Sequence, residues 1–176
     1  MAATPEDLAA YLRDLGIETR TVTHPPLFTV GESQALRGQI PGAHTKNLFL
    51  KDKKDALFLV VAPEEAEIDL KHLHRRIGAG SRLSFGRAEL LIETLGVGPG
   101  SVTAFGLIND REGRVTPVVE AGLLTASVVN CHPLTNTATT SIAPQDLLAF
   151  IRATGHEPQI LNLVLALDEA AAEPRL

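Results

Sequence analysis

The chain has 176 residues and a mass of 18.8 kDa, which is enough for one domain with a complete hydrophobic core. A hydrophobic content of 44% with 21% charged residues excludes a largely disordered protein. A single cysteine, Cys131, excludes an internal disulfide and a zinc knuckle, and no apolar run is long enough to span a bilayer, so we expect a cytoplasmic protein.

The net charge of −5 is unevenly distributed along the sequence. Residues 46–87 contain 9 Lys and Arg against 6 Asp and Glu, a net charge of +3, whereas the remainder carries −8. A local basic face on an acidic protein suits a partner that is held at one end, rather than a duplex contacted along its length. The charge pattern is therefore compatible with RNA but does not identify it.

The N-terminal part predicts two helices around a short strand. Thr4 and Pro5 supply a capping hydroxyl and a first-turn proline, which together indicate a helix start. Residues 19–23 alternate weakly as a strand, and residues 30–37 predict a short helix closed by Gly38. These elements lead into a strand with stronger features.

That strand is predicted at residues 44–51. Its apolar run is bounded by charge, which is typical of a strand sheltered on both faces, and consists of Leu48, Phe49 and Leu50. Lys46 would then be anchored to a core strand with its ammonium directed at one place, which we interpret as a phosphate or a terminal ribose. The continuous apolar run at 56–62 predicts a neighbouring strand at the centre of the sheet.

A glycine-rich segment follows further along the chain, at residues 97–107. Its glycines allow a backbone to approach a ligand closely, and Ser101 and Thr103 add short hydroxyls without filling the space. The segment has neither a dinucleotide-binding nor a P-loop signature. It predicts a ligand-binding loop, with an ordinary glycine turn as the structural alternative.

The remaining pattern completes one domain at residues 1–167, with a frayed tail at 168–176. Before the glycine-rich segment, residues 68–77 predict a basic helix that either contacts an RNA backbone or forms an ordinary solvated face. Further elements are predicted as strands at 81–85, 115–120, 126–131, 137–142 and 160–167, and as helices at 87–94 and from Pro144.

Three conventional catalytic arrangements are not supported by the sequence. No Gly-x-Ser-x-Gly elbow occurs, and the six histidines are scattered without a His-x-x-x-His pair. Cys131 adjoins His132, but neighbours on a strand point to opposite faces. His24, followed by two prolines, is predicted as a turn residue, and His132 is either a packed histidine or part of a pocket.

Three segments nevertheless carry a resemblance in their order and spacing. They are Thr45-Lys-Asn-Leu-Phe-Leu-Lys, Pro99-Gly-Ser-Val-Thr-Ala-Phe-Gly-Leu and His132-Pro-Leu-Thr-Asn-Thr-Ala-Thr-Thr-Ser. Over about residues 5–160 the chain resembles the YbaK/prolyl-tRNA synthetase-associated editing domain family. Within that family it is most similar to the free-standing alanyl-tRNA(Pro) deacylases.

The resemblance implies a mixed α/β fold, with a compact and partly barrel-like sheet surrounded by helices. It implies hydrolysis of the ester between a wrong amino acid and the end of tRNA(Pro), with no metal, no cofactor and substrate-assisted attack of water. Prolyl-tRNA synthetase is a further possible partner. The implied catalytic residues are Lys46, which holds the terminal adenosine, and Gly100, whose loop backbone positions water and the scissile carbonyl. Substrate-binding residues are expected at Asn47, Ser101, Val102, Thr103 and His132.

One departure from the family pattern concerns this loop. The wider family commonly has Gly-x-x-x-Pro, whereas this chain has Gly100-Ser-Val-Thr-Ala104, which predicts a less rigid loop. Selectivity would come from pocket size, with Val102 and His132 as candidate walls.

Other activities stay open from the sequence. A non-catalytic module that binds tRNA or another partner, a deacylase for cysteine, serine or threonine esters, and a small-molecule hydrolase are the alternatives. Oligomeric state is not fixed by the sequence.

Overall fold

The computed structural model describes residues 1–26 and 30–164, so the predicted tail at 168–176 lies outside the described residues. Its helices are α1 (Pro5–Asp14), α2 (Val30–Gln39), α3 (Leu73–Ile77), α4 (Ala88–Leu95) and α5 (Pro144–Ala153). Its strands are β1 (Thr19–Thr23), β2 (Ala43–Lys51), β3 (Leu57–Pro63), β4 (Ser84–Phe85), β5 (Val115–Glu120), β6 (Val129–Cys131), β7 (Ala138–Ile142) and β8 (Gln159–Leu161). Short 3₁₀ helices occupy Pro99–Ser101, Ala104–Asn109 and Ala121–Thr125.

The strands form one mixed sheet in the order β1-β7-β6-β2-β3-β5-β8, with β4 paired to β2 outside this path. The β2–β3 pair is antiparallel, whereas β6 runs parallel to β2 and β5 runs parallel to β3. This is the mixed α/β architecture that the resemblance implied. No helix among residues 1–26 and 30–164 is long and apolar enough to cross a membrane.

The central sheet separates two hydrophobic clusters. Side chains of a strand alternate between faces, so Phe49 joins the larger cluster with Leu59, whereas Leu50 joins the smaller cluster with Phe58. Every residue of β3 from Leu57 to Ala62 is buried, as expected for a strand covered on both faces. The predicted position of this apolar run at the centre of the sheet is confirmed.

The predicted start of α1 is also confirmed. The Thr4 hydroxyl accepts a hydrogen bond from the Asp7 backbone N–H at 3.1 Å, and the Asp7 carboxylate accepts one from the Thr4 N–H at 2.9 Å. These reciprocal bonds satisfy two otherwise unpaired donors at the helix end.

Three predicted elements differ from the structure. The basic helix predicted at 68–77 is helical only in α3, because the Asp69 carboxylate accepts hydrogen bonds from the Lys71 N–H and the His72 ring and so forms a turn ahead of the helix. Helix α2 continues through Gly38 to Gln39. Part of the strand predicted at 160–167 lies outside the described residues, and β8 is shorter.

The glycine-rich segment also differs from its prediction. It is not one open loop, because Ala104, Phe105 and Leu107 belong to the larger hydrophobic cluster. The Phe105 ring makes an edge contact with Phe150 of α5, with 5.2 Å between ring centroids. Only the first half of the segment is therefore available for contact with a ligand.

A buried polar link ties the end of α5 to the turn before β5. His156 Nε2 lies 2.8 Å from the Asp110 carboxylate, and both side chains are only 2% exposed. Asp110 also accepts from the Val115 N–H at 2.8 Å, and the other ring nitrogen of His156 lies 2.9 Å from the Thr154 hydroxyl. The Asp110 carboxylate and both ring nitrogens of His156 thus have partners in this link, as expected for buried polar groups.

Candidate functional site

The sheet is interrupted beside Lys46. On one edge, β2 pairs with β3 over its length from Thr45 to Lys51. On the other edge, β6 pairs with Ala43 and His44, and β4 pairs only with Leu50 and Lys51. Between these two pairings, no described strand borders residues 45–48 on that edge. The interruption leaves backbone and side chains of this stretch accessible beside an otherwise continuous sheet.

Lys46 and Asn47 lie on opposite faces of β2. Alternation along the strand places Lys46 on the face of Leu50 and the smaller cluster, and Asn47 on the face of Phe49 and the larger cluster. The Lys46 ammonium donates a hydrogen bond to the Ala66 carbonyl, in the turn after β3. The lysine is half-buried and held by the core strand, as predicted.

The parallel strand β6 brings His132 close to the start of β2. The register pairs His44 with Asn130, and β6 ends at Cys131, directly before His132, whose electrostatic neighbours include His44 and Glu64. The Thr45 hydroxyl, which donates to the Asn130 carbonyl at 2.8 Å, keeps the two strands together where the ladder ends. The structure therefore brings together two residues that are far apart in sequence.

His132 is surrounded by groups that the sequence did not associate with it. Burial is the main cause that lowers its pKa, and the nearby His24 and His44 lower it further. The Ala138 backbone and the charge of Glu64 act in the opposite direction. The net effect favours the neutral form of the His132 imidazole.

The neighbours of His132 are held in place by hydrogen bonds to side-chain and backbone groups. His24 Nε2 lies 2.9 Å from the Thr139 hydroxyl, and His44 Nε2 lies 3.1 Å from the Ile40 carbonyl. The Glu64 N–H donates to the His44 carbonyl at 2.8 Å. His24 does follow the end of a strand as predicted, but no spacing pattern in the sequence indicates that these residues converge. No group of three or more His, Cys, Asp or Glu residues in the described part of the chain has an arrangement suited to a metal ion.

Two buried polar atoms at this site lack a partner. They are Asn47 Oδ1 and His132 Nδ1, and within the described residues only His74 Nδ1 shares this property. A buried polar atom without a hydrogen bond costs free energy, so such atoms are rare away from functional sites. Both atoms belong to predicted site residues near the interruption, Asn47 on β2 and His132 directly after β6, and neither atom is accessible in this conformation.

Of the predicted loop residues, Gly100, Ser101 and Val102 are at least partly exposed, whereas Thr103 is buried. Gly100 is exposed, and a Cβ added to it would lie 3.7 Å from Asn136 Nδ2, so the loop adjoins the segment that follows His132. Ser101 is partly buried, with its N–H bonded to the Gly98 carbonyl at 3.0 Å, and Val102 packs against the larger cluster.

Thr103 differs from its predicted role. It is fully buried, and its hydroxyl accepts a hydrogen bond from the Phe105 N–H at 3.2 Å. A residue without accessible surface supports the loop from the protein interior and does not contact a substrate in this conformation. The structure gives Thr103 a supporting role in the loop, and its contact with a substrate stays a prediction.

Cys131 is unsuited to nucleophilic catalysis. Its side chain is buried in the larger cluster, and burial raises the pKa of the thiol to about 11. Because the thiolate is the nucleophile, a thiol that stays protonated near neutral pH is unreactive.

Two cavities lie elsewhere on the sheet. One of about 730 Å³ lies where β1, β2 and β6 begin and β7 ends, and one of about 420 Å³ lies between α1 and the β1–β7 pair. None of the predicted site residues lines either cavity. The smaller cavity does reach Pro133 and Thr135, which adjoin the site.

Replacement of His132 by glutamine is expected to change how stability depends on pH. Because the folded state lowers the pKa of His132, the unfolded chain takes up this proton first as the pH falls below the ordinary value of 6.5. The wild-type free energy of unfolding should therefore decline below that pH, and His132→Gln should decline less. Urea denaturation at about pH 7.5 and about pH 5.5 measures both slopes, and equal declines would contradict the assignment.

Comparison with known proteins identifies the kind of domain that carries this site. The family model described as the aminoacyl-tRNA editing domain matches residues 24–150, a range that contains β2, the glycine-rich segment and His132. The chain belongs to the aminoacyl-tRNA editing domain family. Of the described elements, only α1, β1, the end of α5 and β8 lie outside the matched range.

Relatives of this editing domain match nearly all of the chain. A zebrafish (Danio rerio) protein named prolyl-tRNA synthetase associated domain-containing protein 1 is 42% identical, covering 89% of this chain and 86% of its own length. The prolyl-tRNA editing protein ProX of Acetoanaerobium sticklandii is 34% identical, covering 88% and 94% respectively. The crystal structure of a proposed trans-editing enzyme for prolyl-tRNA synthetase superposes with a TM-score of 0.71 at 21% identity, over 94% of this chain and 99% of that one, which shows the shared fold.

Proposed function

We propose that this editing domain is a trans-acting aminoacyl-tRNA deacylase that hydrolyses mischarged tRNA(Pro), with alanyl-tRNA(Pro) as the favoured substrate. The observation that carries the proposal is the interruption of the sheet beside Lys46, bordered by the unpartnered polar atoms of Asn47 and His132. Membership of the aminoacyl-tRNA editing domain family supports an aminoacyl-tRNA as the ligand of this site. The names of the relatives support tRNA(Pro) as the carrier and prolyl-tRNA synthetase as a partner. Action in the cytoplasm is part of the same proposal.

Lys46 is proposed to orient the tRNA end. Its aliphatic stem is half-buried on β2, and its ammonium bonds to one neutral carbonyl, so its charge is not cancelled by that contact. A phosphate or ribose of the terminal adenosine is a suitable ligand for an ammonium held in this way. Holding the substrate end in position would increase the reaction rate, because it converts attack by water into an effectively unimolecular step.

The chemical step is proposed to use backbone groups and the substrate itself. A water oxygen forms a bond to the ester carbonyl carbon, and the bond from that carbon to the ribose oxygen breaks. The neighbouring ribose hydroxyl assists the proton transfer, and the departing ribose oxygen ends as a hydroxyl while the amino acid leaves as its carboxylate. Backbone N–H groups around the exposed Gly100 are proposed to position the carbonyl, with no metal or cofactor in the reaction.

Selectivity is proposed to come from a rigid pocket wall. Val102 packs against the larger cluster and His132 is partly buried, so neighbouring residues restrain both side chains. A small acyl group fits where a proline ring does not, and this steric exclusion adds discrimination that a synthetic site alone lacks.

A panel of aminoacyl-tRNAs tests the proposed substrate. We expect alanyl-tRNA(Pro) to be hydrolysed faster than tRNAs carrying cysteine, serine or threonine, and the rate to persist after treatment with a chelator. Faster release of another amino acid would assign the chain to that substrate. Cleavage of a simple alanyl ester as fast as alanyl-tRNA(Pro) would instead indicate a small-molecule hydrolase, and binding of the RNA without ester loss would indicate a non-catalytic binding module.

A further inference from the structure

Phe85 is a large aromatic residue with little protein around it. It lies on the two-residue strand β4, and 59% of its surface is exposed. Burial of a phenylalanine side chain stabilises a fold, and an exposed ring on an ordered strand does not contribute this stabilisation. Isolated exposed apolar side chains are common, however, and the surroundings decide whether this one has a role.

The exposed position is fixed by the fold. Phe85 pairs with Leu50 across the β2–β4 ladder, and the Gly86 N–H donates to the Phe49 carbonyl at 2.9 Å. A Cβ added to Gly86 would lie 2.3 Å from Phe49 Cε2, so only glycine allows β4 to lie against this buried ring. The backbone next to Phe85 is therefore held against β2, and the ring is presented from a defined place.

Phe85 is on the same side of the sheet as Lys46. Residues directly opposite each other in a ladder share a face, so Phe85 is on the face of Leu50, which is also the face of Lys46. Leu50 is four positions after Lys46 along β2, a distance of about 13 Å at the usual rise of a strand. The interruption of the sheet lies between them.

The charge around Phe85 favours a polyanion. Residues 70–88 contain five Lys and Arg and no Asp or Glu, in a chain whose net charge is −5. Arg82 and Arg87 flank β4 and are both exposed. Exposed aromatic rings between cations are the usual platform for unpaired nucleotides, because every base has a face that can stack and every nucleotide carries a phosphate.

We propose that Phe85 stacks on an unpaired base of the tRNA 3′ end, upstream of the terminal adenosine at Lys46. The inference rests on the proposed function for its RNA ligand, but it adds a second contact that fixes the direction of the strand along β2. Phe85 is a positioning residue in this account, since it touches the substrate away from the ester.

Binding of uncharged RNA tests this contact separately from catalysis. The probe is a fluorescent acceptor-stem hairpin of tRNA(Pro) with its unpaired 3′ tail, compared with the same hairpin lacking the tail. Phe85→Ala and Phe85→Leu should each lose roughly 10-fold in affinity for the tailed hairpin, whereas Phe85→Trp should retain it, because stacking requires a ring. None of the variants should change binding of the tailless hairpin.

Ile92 supplies the matched control. It is an apolar residue on α4 with 57% exposure, and Ile92→Ala should bind the tailed hairpin as the wild type does. Thermal melting of each variant checks that the fold is retained. In deacylation, Phe85→Ala should raise KM more than it lowers kcat, as expected for a residue remote from the ester.

Three outcomes would overturn the proposal. Wild-type affinity in Phe85→Ala would show that the ring does not contact the RNA, and wild-type affinity in Phe85→Leu would show an apolar contact without stacking. A wild-type dimer that becomes monomeric in Phe85→Ala would assign the ring to a contact between copies of the chain. If the wild type binds the tailed hairpin through Phe85 but releases no amino acid, deacylation fails while this inference stands.

Discussion

Lys46→Ala is expected to lower the rate of deacylation by about 100-fold, the loss that follows when a substrate end is no longer held in position. Lys46 lies at the rim of the sheet interruption, and its ammonium is held by the Ala66 carbonyl. Alanine removes the charge and the contact together, so the terminal nucleotide loses its anchor. Single-turnover measurements at saturating enzyme report this step directly.

The fold of the Lys46→Ala variant should survive. The substitution removes one hydrogen bond to a carbonyl, a loss of about 1 kcal/mol, and leaves the β2–β3 ladder in place. Arg13→Ala, at an exposed cation near the end of α1, controls for the loss of one positive charge and should keep full activity. A Lys46→Ala variant that folds and hydrolyses the ester at the wild-type rate would remove Lys46 from the proposed site.

His156→Ala is expected to lower the free energy of unfolding by about 3 kcal/mol, because it leaves the buried Asp110 carboxylate without one of its partners. Both side chains are only 2% exposed, so water cannot replace the lost hydrogen bond without entering the core. Urea denaturation of the wild type and the variant gives the difference.

An exposed ion pair on the same part of the chain provides the control. Arg152 lies 3.4 Å from the Glu157 carboxylate, and these side chains are 47% and 77% exposed. Glu157→Ala should cost about 1 kcal/mol or less, because solvent weakens the interaction. Equal losses for the two variants would show that the buried link has no special importance for stability.

Local sequence patterns predicted much of this fold because their causes are local. Thr4 and Pro5 fix the start of α1, and the apolar runs fix β2 and β3 as the sheet centre, since each pattern depends on a few neighbouring residues. The helix predicted at 68–77 was too long because apolar periodicity carries no information on the Asp69 side chain, which forms its own turn.

The site was only partly predictable for a related reason. Lys46, Asn47 and His132 were predicted from sequence motifs. The placement of Lys46 and Asn47 on opposite faces of β2 follows from the division of the core into two clusters by the sheet. The convergence of His24, His44 and Glu64 on His132 depends on strands that are distant in sequence. Thr103 resembled a ligand-binding hydroxyl, and only its burial shows that it supports the loop.

The central claim is that this member of the aminoacyl-tRNA editing domain family hydrolyses a mischarged tRNA. The most direct test measures release of amino acid from alanyl-tRNA(Pro) and from prolyl-tRNA(Pro) by the wild-type chain, against buffer alone. We predict rapid loss of alanine and retention of proline. Alanine release no faster than in buffer, or equal release of both amino acids, would contradict the account.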